Sequence, residues 1–182
     1  MRFPHVLRAA LVSAFALPAA VAAADAVTGP VIEGFGPVYA APADAWNLEA
    51  GRLHRVSMDV AAAPGDVSAV NRHIESAARF LNMNARAGVP ASDIDFAVVL
   101  HGQAARAALT DEAYESRHGV PNPDGALVEA LAGAGVRFYL CWQSAAHAGF
   151  DAGAIRPEVT IAVSAMSAHV RLQEEGFTLI PF

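Results

Sequence analysis

From Leu53 onward the chain alternates two hydrophobic patterns, one that suits strands and one that suits helices. LHRVSMDVA (53–61) reads as a first strand, and PGD at 64–66 supplies a turn in which Asp66 is the expected helix N-cap. Val70, Ile74, Ala77 and Leu81 then share one face at helical spacing, and the helix stops at Gly88 with Pro90 just beyond. IDFAVVLH (94–101) is apolar at almost every position, as a parallel strand covered on both faces would be. A polar stretch from Thr110 to Pro123 predicts a short helix and then a loop, and ALVEALAGAG (126–135) predicts a helix ending in glycines. VRFYLC (136–141) is the third strand, and Ser144 is placed to cap a short helix through Ala148. VTIAVS (159–164), MSAHVRLQEEG (166–176) and FTLIPF (177–182) complete the pattern as strand, helix and strand. The expected class is α/β: one domain, 53–182, with an open five-stranded parallel sheet and helices on both faces, a three-layer sandwich.

The segments before Leu53 have neither period. Residues 25–52 are rich in Gly, Pro and Ala and read as an extended arm; GFGPVY contains a G-x-G, but neither follows a strand nor opens a helix, so it is no dinucleotide fingerprint. Residues 1–24 place Arg2 and Arg8 before an apolar run and end in VAAADA, the form of a secretory signal cleaved after Ala24. The apolar run is short for a bilayer span and is interrupted by Pro18. The expectation is a soluble, exported protein.

Removing 24 of the 182 residues leaves 158, a length that suits one domain with a sizeable core. The signal takes two arginines and no acids with it, so a formal charge of −6 becomes −8. Nucleic acid and anionic membrane surfaces are poor partners for that balance. Lysine is absent, which excludes Schiff-base chemistry and a P-loop. H-E-x-x-H, C-x-x-C and G-x-S-x-G are also absent, and the scattered histidines lack metal-ligand spacing; neither a metal nor an organic cofactor is expected.

Cys141 is the only cysteine, so no intrachain disulfide is available. It ends its strand, as His101 and Ser164 end theirs, and ligands of open α/β sheets collect at such carboxyl ends. A helix starting just after Cys141 would turn N–H groups towards the sulfur and favour the thiolate, whereas Phe138, Tyr139 and Trp142 would bury it and raise its pKa. The residues alone do not rank these effects. A flavodoxin-like strand order of 2-1-3-4-5 would set the ends of the second and third strands about 10 Å apart, too far for a His101–Cys141 hydrogen bond. His147 is closer in sequence but reads as a helix-surface histidine, and His118 lies in the polar stretch with Tyr114, Glu115 and Arg117.

From about Leu53 to Phe182 the chain resembles the DsrE/DsrF-like family, exported branch. The resemblance is carried by HRVSMDVA, NRHIESAARFLN, VVLHG (98–102), GVRFYLCWQSA (135–145) and AVSAMSAHVRLQEEGFTLIPF, with GPVIEGFG in the arm ahead of them. It implies a sulfur-relay protein that holds sulfane sulfur as a persulfide on the cysteine after the third strand, here Cys141. It also implies a homo-oligomer, a trimer or hexamer, with a sulfur donor or acceptor as partner and a periplasmic location. Backbone N–H groups at Gln143 and Ser144 would then stabilise the anionic sulfur, with His101 and His147 as candidates for proton handling and Ser164 lining the pocket. Relatives commonly have a glycine after the cysteine; Trp142 stands there in this chain and puts bulk beside the sulfur. The alternative is a non-catalytic oligomeric binding protein in which Cys141 merely lines a pocket.

Overall fold

The computed structural model describes residues 25–180; the expected export signal and the last two residues of the expected fifth strand lie outside them. Five strands form one parallel sheet: β1 (His54–Val60), β2 (Ile94–Leu100), β3 (Arg137–Cys141), β4 (Val159–Ala162) and β5 (Thr178–Ile180). Between them lie α1 (Arg72–Arg86), α2 (Asp111–His118), α3 (Gly125–Gly133), α4 (Trp142–His147) and α5 (Ala165–Glu174). None of the described helices is long and apolar enough to cross a membrane.

The strand order is β4-β3-β2-β1-β5, which corrects the expected 2-1-3-4-5. β2 and β3 are hydrogen-bonded neighbours, with Leu100 opposite Leu140. The chain therefore adds strands in one direction from β1 to β4 and reverses once, returning to the far side of β1 as β5. Right-handed crossovers then require α5 to cover the face opposite α1 and α3. The packing agrees. Val56, Met58, Phe96, Val98, Phe138 and Leu140 point into a large core with α1, α3 and Tyr114, while Ala97, Val99 and Cys141 meet Ala165, Ala168 and Leu172 of α5.

On the larger core face the arm is held by polar side chains of α1, Asn82 foremost. Asn82, fully buried on α1, accepts from the N–H groups of Val31 (3.1 Å) and Ile32 (2.8 Å) and donates to the carbonyls of Ile32 and Phe35, both at 3.0 Å. Arg86 donates to the carbonyls of Gly29 and Thr28. Gly36 adopts φ +60, and a Cβ there would lie 2.3 Å from the Arg79 nitrogen, so the arm rests directly on the helix backbone.

The start of α1 differs from the sequence expectation. Asn71, not Asp66, is the N-cap: it accepts from His73 N–H at 3.0 Å and donates to the Ala62 carbonyl at 2.8 Å. Asp66 instead closes a local turn onto Ser68, and Val70 falls before the helix. Tertiary structure makes the choice, because the buried Asp124 carboxylate accepts from Asn71 N–H at 2.7 Å.

Candidate functional site

Cys141 lies where two crossovers part. The chain leaves β3 into α4 on the larger core face and leaves β4 into α5 on the other, and the carboxyl ends of two strands that part in this way are where an open α/β sheet places its ligand crevice. Cys141 occupies the N-cap position of α4 without forming a full side-chain cap bond. The Ser144 hydroxyl and the N–H groups of Ser144, Ala165 and Gln143 nevertheless lie close enough to act on its sulfur. Burial pushes the thiol up, but these donors outweigh it and hold the thiol below its ordinary value. The donors come from both α4 and α5, and only the divergent geometry brings the two together.

Neighbouring residues fix this arrangement. Ser144 Oγ accepts from Gly102 N–H at 3.0 Å, which ties α4 to the end of β2 and leaves the hydroxyl proton for the sulfur. Gln143 donates its side-chain amide to the Val163 carbonyl at 3.2 Å, bridging the crevice. Ser164 caps α5 by accepting from Ser167 N–H at 3.0 Å, so its hydroxyl serves the helix while the next residue's N–H faces the sulfur.

The aromatic residues are distributed between the faces. Phe138 and Trp142 pack into the larger core, so Trp142 does not lie over the sulfur as its place in the sequence suggested; Tyr139 alone among the three joins the Cys141 face. Cys141 itself is 5% exposed. His147 is exposed in the last turn of α4, and His118 packs at a tilt against Tyr114, with ring centroids 4.4 Å apart. Neither joins the crevice.

His101 does approach it. Its N–H extends the ladder by donating to the Val60 carbonyl at 3.0 Å, and its extended backbone turns the ring to the same face as Val99 and Cys141. The ring's Nε2 lies 2.9 Å from Asp59 Oδ1, and His169 Nε2 on α5 lies 2.7 Å from the same oxygen. Burial pushes the Asp59 carboxyl up, yet the hydrogen bonds and charge of His169 and His101 hold it below the ordinary carboxylate range. The pairing of Asp59 with His169 is not legible in the sequence: a contact across 110 positions leaves no local pattern. Among the described residues no group of three His, Cys, Asp or Glu side chains is arranged to hold a metal ion.

This is the frame of a small single-domain α/β protein with one thiol at a strand-end crevice. The profile of the DsrE/DsrF-like family matches residues 58–182, and the chain belongs to that family. Membership suggests a function of the sulfur-relay type. Two solved structures share the fold. MTH1491 from Methanobacterium thermoautotrophicum, a protein of unknown function, is 22% identical with a TM-score of 0.51, over 71% of this chain and 99% of its own. The ychN protein from E. coli is 16% identical with a TM-score of 0.52, over 71% of this chain and 100% of its own. None of the curated proteins compared matches the chain.

Proposed function

We propose that the protein is an exported, periplasmic sulfur carrier that holds sulfane sulfur as a persulfide on Cys141. The observation that carries this reading is the set of donors from α4 and α5 around one strand-end sulfur, which favours an anion there. In loading, the Cys141 thiolate attacks the terminal sulfur of a hydropersulfide donor, the donor's S–S bond breaks, and its electron pair leaves on the donor thiolate. Unloading is the same displacement by an acceptor thiolate at the outer sulfur, which regenerates the Cys141 thiolate. No net oxidant or reductant is consumed, and no organic cofactor takes part.

The same reading takes the protein as a homo-oligomer, a trimer or hexamer. Val163 and Met166, which flank the crevice, are 74% and 78% exposed, and Ile161 and Val170 extend this apolar rim along the free edge of β4 and the outside of α5. A second copy seated there would shield the persulfide from water.

Intact-protein mass spectrometry before and after exposure to polysulfide tests the proposal. A reductant-reversible gain of whole sulfur atoms is expected, and Cys141→Ser abolishes it. A folded protein that gains no sulfur contradicts the carrier and favours the non-catalytic binding alternative, for which the burial of Cys141 is the supporting feature.

A further inference from the structure

Two imidazoles share one carboxylate beside the thiol, and both present the same ring nitrogen to it. An ionised carboxylate only accepts, so His101 and His169 must each donate from Nε2–H. In a neutral ring the lone pair then lies on Nδ1, which has no protein partner in either histidine among the described residues. His101 lies next to Cys141 across neighbouring strands, whose backbones are about 4.8 Å apart, and its ring is on the same face. No hydrogen bond joins ring and thiol among the described residues, so the link between them requires a water or the transferred sulfur itself.

We propose that His101 handles the proton of sulfur transfer at Cys141, with Asp59 as its positioning residue; this rests on the carrier reading above. When the thiolate has taken up a terminal sulfur, the new Cys–S–SH group gives its proton to His101 Nδ1, and the ring passes it to the departing donor thiolate. Protons balance over the cycle. Asp59 holds the Nε2–H tautomer and stabilises the imidazolium formed in passing. His169 supplies the second donor that keeps Asp59 ionised.

The titratable and charged groups facing this site are few. They are Asp59 from β1, His101 from β2, Tyr139 and Cys141 from β3, and His169 from α5. Arg55, Asp95, Arg137, Arg171 and Glu175 on the same elements pair among themselves, and this network meets the site through Tyr139, whose hydroxyl accepts from Arg137 at 3.4 Å. A change in the pH profile of Cys141 reactivity on substitution of His101 or His169 therefore assigns the coupling to that ring.

The experiment combines three readouts on the wild type, H101Q, H169A, D59N and D59E. They are sulfur loading by mass, the pH profile of Cys141 alkylation by iodoacetamide, and the histidine tautomers from long-range ¹⁵N–¹H spectra. The wild type should show Nε2–H tautomers and, in alkylation, a pH step besides that of the thiol itself. H101Q should lose that step and slow loading on the order of 100-fold, and D59N should slow loading roughly tenfold and release the tautomer. D59E should recover part of the rate, and H169A should lose less than H101Q. Normal loading with superimposable pH profiles in all variants would overturn the role of His101 while leaving the carrier intact. Absence of loading, with the alkylation step still lost in H101Q, would overturn the carrier and keep the His101–thiol link.

Discussion

The larger core face of the sheet and the α5 face use polar residues to opposite ends. On the core face Asn71, Asn82, Asn122 and Asp124 are buried, and each is committed to backbone partners that close a turn, cap a helix or hold the arm. On the α5 face Asp59, His101 and His169 are partly exposed and bond to each other, with ring nitrogens left over. The difference follows from coverage. Four helices and the arm exclude water from one face, where an unpaired polar atom is costly, while a single helix leaves the other face open at the strand ends. Polar residues on the first face specify the fold, and those on the second are free for chemistry.

Substitutions sharpen that contrast. Asn82→Ala should have the largest effect on the fold, because it strips the arm of its buried partners. We expect a loss of about 3 kcal/mol and a fall in Tm of roughly 6–12 °C, with Cys141 alkylation unchanged in the folded protein. A change in alkylation would show that the two faces are coupled. Ser144→Ala should reverse the pattern: alkylation at neutral pH slows roughly fivefold, matching the loss of a hydrogen bond worth about 1 kcal/mol, while Tm barely moves.

The smallest effect tests the sign of a buried acid. Burial raises the Asp124 carboxyl, and the Asn71 N–H and the charges of Arg106 and Arg156 offset this only in part. The unfolded chain therefore loses this proton first, and Asp124 lowers stability as pH rises from about 4 through its folded value. Asp124→Asn keeps an acceptor for Asn71 and removes the ionisation, so its Tm should match the wild type near pH 3 and exceed it at pH 7. Asp59 has the opposite sign. Its depressed carboxyl contributes stability that is present above about pH 4 and lost as pH falls through the folded value.

The patterns that could be read in the sequence were those that repeat locally. The unbroken apolar run of IDFAVVL marks a strand covered on both faces, and Ile74, Ala77 and Leu81 mark the buried side of α1. Asp66 and Asn71 satisfy the same capping preference, so only Asp124, more than 50 residues away, distinguishes them. Strand order has no local signature either, and the assumed order separated His101 from Cys141 by an intervening strand. The position of Cys141 at a strand end was legible; the donors from α5 were not, because Ala165 acts through its backbone and any residue but proline would do.

Whether the fold holds an anionic sulfur at Cys141 is read most directly by titrating its thiolate absorbance in the ultraviolet. With one cysteine in the chain, subtracting Cys141→Ser removes the tyrosine contribution and isolates that thiol. A midpoint below the ordinary thiol value of about 8.5 is expected in the folded protein. A midpoint at or above that value would contradict an anionic sulfur and identify Cys141 as a buried apolar residue of the α5 face.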